Sequence, residues 1–193
     1  MGAADFNTTI TLKGAREDVL AMMRVVKSYI TDKHEQYREK RNCEYLMGAN
    51  IEAHDINPFS GPNVGDMSDD EMLAMIDKYN CQITISASGP YGVFGNLDDI
   101  DLFKDMAESA PHASFTGFIG GFSVGGDQCA AFELKDGLLH CSYRFGEEFE
   151  EDYDEDEDLD DEDWDDECEY EEVEIEWDFE VVYDPINKKI IES

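Results

Sequence analysis

Six aspartates, Asp152, Asp154, Asp156, Asp158, Asp160 and Asp163, stand where an EF-hand calcium loop places its positions 1, 3, 5, 7, 9 and 12, with Leu159 at position 8. Hard cations take such oxygen ligands. The loop also needs a glycine at position 6 for its sharp turn and a bidentate glutamate at position 12. Here those positions hold Glu157 and Asp163. A stretch this rich in acid matches many patterns by chance, so weak, nonspecific divalent binding is expected rather than a designed site. Softer metals fare no better. None of His34, His54, His112 and His140 pairs with a cysteine at finger spacing. His140 and Cys141 are neighbours on a predicted strand and so point to opposite faces. The glycine-rich phrase G-F-I-G-G-F-S-V-G-G-D lacks the lysine and the following Ser/Thr of a phosphate loop. Glycines in an aromatic strand more often mark bulges or close backbone contact. No G-x-S-x-G nucleophile turn occurs. No cofactor and no catalytic residue are therefore expected, and the chain reads as a binding protein rather than an enzyme.

The acids themselves carry the stronger signal. Net charge is −34, from 14 basic and 48 acidic residues in 193. Glu147–Glu180 holds 24 of the acids and no Lys or Arg. The first 41 residues are slightly basic by contrast, with eight Lys/Arg against six Asp/Glu. Phosphate would be repelled, which excludes direct binding to nucleic acid or an anionic membrane and favours cationic partners. Phe149, Tyr153, Leu159, Trp164 and Tyr170 interrupt the run at intervals. Charge for steering and rings for anchoring make a recognition segment, whereas a merely solvating tail needs no rings. The candidate partner-binding residues are Glu150, Glu151, Asp154, Asp156, Asp158, Asp160, Asp161, Asp163, Trp164 and Asp165, followed by Glu174, Glu176, Asp178 and Glu180. The last four alternate with Val173, Ile175, Trp177, Phe179 and Val181, the pattern of a strand with carboxylates on one face about 6.7 Å apart. That is sparser than one DNA strand, with a charge per roughly 3.4 Å, and the neighbouring run supplies added density. The bland alternative is a solvating acidic loop.

The elements that hold these residues follow from periodicity. Thr8–Lys13 alternates as a half-buried strand, and a helix from about Ala15 repeats Val19, Leu20, Met22, Met23, Val26, Tyr29 and Ile30, with Thr31–Arg41 as a possible extension. Its charged face, with Lys27, Lys33, Arg38, Lys40 and Arg41, reads as solvated surface, the alternative being a patch that holds the acidic run against the body until a partner displaces it. Tyr45–Glu52 suggests a short strand, and Asn57–Asp66 a loop. Ser68 and Glu71 form a capping box for a helix ending near Tyr79. Cys81–Ser88 alternates as a strand, Ser88–Asn96 is a turn cluster, and Leu97–Ser109 is helical. Ala113–Val124, Gln128–Lys135 and Leu138–Phe145 are strand-like, the last two joined by the hairpin signal Asp136-Gly137. The predicted fold is α+β, an antiparallel sheet with helices on one face, ferredoxin-like in character. Residues 1–146 form the core, 147–172 an acidic, flexible segment, and 173–193 an acidic edge strand returning to the core. Five cysteines, an odd count with no C-x-x-C, imply reduced thiols. No apolar run reaches the roughly 18 residues of a membrane helix, and no leader sequence is evident. A cytoplasmic protein is expected.

In size, charge and layout the chain resembles DNA-mimic inhibitors carried by phages and mobile elements, among them anti-CRISPR and anti-restriction proteins. The resemblance implies a partner with a basic nucleic-acid-binding surface, such as a Cas nuclease, and the cytoplasm of a host cell as the place of action. It carries over no individual functional residue. Two other functions fit the same charge: an acidic chaperone for a basic protein, and a low-affinity divalent-metal binder.

Overall fold

The computed structural model describes residues 6–31, 48–52, 61–89, 101–123, 126–144 and 179–192. They form one antiparallel sheet of eight strands with three α-helices, an α+β architecture. The strands are β1 (Phe6–Lys13), β2 (Gly48–Ile51), β3 (Gln82–Gly89), β4 (Ser114–Ser123), β5 (Gly126–Lys135), β6 (Leu138–Arg144), β7 (Phe179–Asp184) and β8 (Lys189–Glu192). The helices are α1 (Arg16–Thr31), α2 (Asp69–Lys78) and α3 (Asp101–Ser109). The order across the sheet is β2-β3-β1-β4-β5-β6-β7-β8.

Side-chain alternation divides the sheet into two faces. In register across six strands lie Ile83, Leu12, Phe115, Leu134, Leu139 and Tyr183, all buried. The next inward row runs Ile85, Ile10, Gly117, Phe132, Cys141 and Val181. The three helices cover this face. α1 contributes Val19, Leu20, Met22, Met23 and Val26, α2 contributes Met72 and Ile76, and α3 contributes Leu102, Phe103, Met106 and Ala107. Within the row, Gly117 leaves room for the Phe103 ring. A Cβ there would lie 2.4 Å from Phe103 Cε1. The ring instead stacks on Phe132, with centroids 3.8 Å apart and planes at 7°. The glycine in an aromatic strand is thus a point of close helix–sheet approach.

The outward row Thr84, Thr11, Thr116, Glu133, His140 and Val182 faces away from the helices. Thr11 and Thr84 hydroxyls lie 3.2 Å apart across this face. Exposed charged groups of both signs stand on it, among them Lys13, Glu133, Lys135, Arg144 and Glu180.

Local signals explain most boundaries. The Ser68 hydroxyl accepts from the Glu71 N–H, and the Glu71 carboxylate accepts from the Ser68 N–H at 2.7 Å, closing the capping box of α2. Asp136 and Gly137 both take positive φ, 52° and 79°, as a tight hairpin turn requires. Three departures stand out. Cys81 does not begin a strand. Asn80 and Cys81 are left-handed (φ 53° and 60°), and the Cys81 N–H donates to the Ile76 carbonyl, ending α2 before β3 starts. A 3-10 turn at Val64–Asp66, capped by the Asn63 side chain, occupies part of the expected loop. Finally, β8 follows β7 through a turn, so the strand bearing Glu180 is second from the sheet edge and β8 forms the edge. The proposed extension to Arg41, the start of the third helix before Asp101, and the segment 145–178 lie outside the described residues.

Candidate functional site

Of the fourteen candidate partner-binding residues, Glu180 alone falls among the described residues. It is exposed on β7, on the outward face, while the next residue, Val181, is buried in the core. It accepts a long hydrogen bond from the Ser142 hydroxyl of β6, at 3.4 Å. Glu150, Glu151, Asp154, Asp156, Asp158, Asp160, Asp161, Asp163, Trp164, Asp165, Glu174, Glu176 and Asp178 lie outside the described residues. What the fold does establish is where their segment is fastened. β6 and β7 pair from Leu139↔Tyr183 to Tyr143↔Phe179. Arg144 and Phe179, the described residues that flank the segment, therefore stand on two adjacent strands at one end of their pairing.

The return of the chain is anchored by a polar cluster that the sequence did not suggest. The Tyr183 hydroxyl donates to Glu108 Oε1 on α3 at 2.5 Å, and Lys188 Nζ donates to Glu108 Oε2 at 2.5 Å. Lys104 Nζ sits 5.5 Å from the centre of the Tyr183 ring, within cation–π range. Burial alone would push the Glu108 carboxyl up; hydrogen bonds from Lys188 and Tyr183 outweigh it and hold the group below its usual range. Burial, reinforced by the hydrogen bond to Glu108, pushes the Tyr183 phenol well above its ordinary value. In the turn that follows, Asp184 accepts from the backbone N–H groups of Ile186 (3.0 Å) and Asn187 (2.9 Å). These bonds fix the start of β8. Helix spacing gave Glu108 no special place, because its partners come from residues 75 and 80 positions away.

The basic residues of α1 are engaged locally. Arg16 makes a bidentate pair with Asp77 (2.8 and 3.1 Å), Arg24 pairs with Asp69 at 2.5 Å, and Lys27 donates to the Met67 carbonyl at 2.5 Å. These contacts tie α1 to α2 and its approach. Of the basic patch, Lys27 alone falls among the described residues, and it joins this helix–helix seam. Lys33, Arg38, Lys40 and Arg41 lie outside the described residues.

Concavities lined by described residues include the following. A groove of about 750 Å³ crosses the end of the sheet opposite Arg144 and Phe179, lined among others by Lys13, His112, Lys135, Asp136 and Asp184. A smaller one of about 270 Å³ lies beside Glu52, Tyr79 and Asn80. Among the described residues no group of three or more His, Cys, Asp or Glu is arranged to hold a metal ion. No helix among them is long and apolar enough to cross a membrane. No family model, curated protein or solved structure matches the chain.

Proposed function

We propose that this chain is an acidic binding protein that blocks a nucleic-acid-binding protein by DNA mimicry, with a ferredoxin-like core as its platform. One observation carries this reading. The 34 residues between β6 and β7, 145–178, hold 23 acids and no Lys or Arg, and the two strands are paired up to the Tyr143↔Phe179 register. A solvating tail needs no such double attachment. Tethering both ends of a dense block of negative charge limits the ordering entropy lost when it meets a basic groove. The strand order β2-β3-β1-β4, all antiparallel with α1 and α3 as crossovers, supports the ferredoxin-like reading. β5 to β8 extend that core as a meander.

The partner is a protein whose basic channel ordinarily holds DNA or RNA, such as a Cas nuclease acting in the cytoplasm of a host cell. No catalytic step or cofactor enters this function. Because Arg144 and Asp178 would be the next register pair, replacing residues 145–177 with Asn-Gly closes β6 and β7 as a two-residue hairpin. Of the 23 acids, Asp178 remains, so 22 are removed and net charge goes from −34 to −12. The test is displacement of a labelled DNA duplex from a Cas nuclease, followed by fluorescence anisotropy. The full chain is expected to displace the duplex, and the closed-hairpin variant to lose at least about tenfold in potency, 1.4 kcal/mol. Equal displacement by both proteins would overturn the proposal. Stoichiometric binding without loss of DNA binding would favour the acidic-chaperone function instead.

A further inference from the structure

The cations of the fold divide into two sets. Arg16, Arg24, Lys104 and Lys188 pair with Asp77, Asp69, Asp101 and Glu108. Among the described residues Lys13 and Lys135 pair with no carboxylate, although both are exposed and the chain carries 48 acids. Register sets them close together. Lys13 lies opposite Ser114, and the pairing of Phe115 with Leu134 brings Lys135 beside Ser114 from the other strand. Leu12 and Leu134 are buried on the helix side, so alternation puts both lysines on the outward face. Two strand spacings leave their backbones about 10 Å apart, within reach of two flexible stems that meet over Ser114. The Ser114 hydroxyl turns to the Lys13 carbonyl at 3.3 Å and puts no charge between them.

Both lysines line the 750 Å³ groove, whose volume is in the range of small-molecule sites. Its walls are the β1–α1, α3–β4, β5–β6 and β7–β8 turns. Beyond Lys135 the groove becomes apolar. Leu138 faces Lys135 in register, and Ile186, at 61% the most exposed large apolar side chain among the described residues, follows in the β7–β8 turn. We propose that the groove binds a small phosphate monoester, its dianionic head held between Lys13 and Lys135 and its apolar body laid on Leu138 and Ile186. Two separated point charges match a dianion, whereas a monocarboxylate would engage one lysine and leave the other unpaired. Of the two acids on the wall, Asp184 is already engaged by the Ile186 and Asn187 N–H groups and, at 2.6 Å, the Asn187 side chain. Asp136 is then the opposing charge. The net charge of −34 repels a polyanion that must run across the surface, but at about 0.15 M salt its reach is only about 8 Å, and for a small dianion the groove's own charges decide. This inference is independent of the partner proposed above.

The test is an NMR titration of the full chain with phenyl phosphate at about 150 mM salt, read on the amides of Lys13, Ser114, Lys135 and Gly137. Saturating shifts are expected there with a Kd on the order of 1 mM, and inorganic phosphate, which lacks the apolar body, should bind several-fold more weakly. The double variant K13Q/K135Q should lose at least about tenfold in affinity, while K78Q, on α2, should bind like wild type. D136N keeps an Asn-Gly hairpin turn and removes the opposing charge, so it should bind about threefold more tightly. Shifts that do not saturate by about 20 mM phenyl phosphate overturn the proposal. So does an affinity that K13Q/K135Q leaves intact, or one that K78Q lowers as much. Benzoate or inorganic phosphate binding as tightly as phenyl phosphate overturns it as well. Should the double variant misfold, D136N decides: an affinity that does not rise overturns the proposal.

Discussion

At Gly117 the missing side chain is what lets α3 approach the sheet. The Phe103 ring occupies the space a Cβ would take and stacks on Phe132, whose far side meets Tyr143 edge-on at 5.9 Å. Gly117→Ala is expected to force this stack apart and cost about 1–3 kcal/mol, read as a lower urea midpoint with unchanged m-value. Cys141 lies under the same layer. Burial, only partly offset by a hydrogen bond with Tyr143, pushes its thiol up to about 12. Native protein should therefore be alkylated at Cys81 and Cys129, both half-buried, well before Cys141. The pH dependence has a definite sign. A thiol whose pKa is raised by folding stabilises fully below the unfolded value of about 8.5, and that contribution is lost as pH rises toward 12. Thermal midpoints should fall across this alkaline window, and less so in Cys141→Ala once its own cavity cost is subtracted. Alternation made the inward position of Cys141 legible in the sequence, and the glycine-rich phrase signalled close contact. The identity of the contact was not legible, because Phe103 comes from a helix whose angle to the sheet no local pattern specifies.

Among the elements, the β7–β8 hairpin depends most on distant partners. Tyr183, Lys188 and Glu108 bind it to α3, and Asp184 shapes its turn. Glu108→Gln removes the charge that holds Lys188 while leaving an acceptor for Tyr183. It should loosen β8 by about 1 kcal/mol, seen as roughly fivefold faster amide exchange there with little change in α1. The Glu108 carboxyl is held below its usual range, so its contribution is present above the ordinary value of about 4.3 and is lost as pH falls through the folded one. In Glu108→Gln the acid-side decline in β8 protection should be weaker than in wild type. Elements with strong local signals were readable: the capping box at Ser68, the Asp136-Gly137 turn, and the alternation of β1 and β3. β8 was not, since four residues reading K-I-I-E show no alternation and owe their pairing to β7. Cys81 reads as a strand residue for the opposite reason. Its apolar character suited the pattern, but closing α2 required a left-handed residue there.

The whole molecule is electrically polar along its strands. Of the 48 acids, 23 lie in sequence between Arg144 and Phe179, which flank one end of the β6–β7 pair, while Lys13, Lys135, Lys188 and Lys189 stand toward the other end of the strands, the first two of them lining the 750 Å³ groove. Composition made this polarity visible along the sequence. Its direction in space needed the strand order, since residues 144 and 179 become neighbours only through the β6–β7 pairing. The outward face of the sheet is mixed in sign and rich in threonine, so it is a poor copy of a phosphate backbone, and any mimicry must reside in the connection itself. The closed-hairpin variant relieves self-repulsion and should unfold at a temperature no lower than wild type. The most direct measurement is the affinity of the full chain for a Cas nuclease, titrated from about 50 to 500 mM salt beside the closed-hairpin variant. A mimic of a polyanion should lose at least about tenfold in affinity over that range, and most of the loss should vanish in the variant. Affinity that is flat with salt, or a slope that the variant keeps in full, would contradict the acidic connection as the binding element.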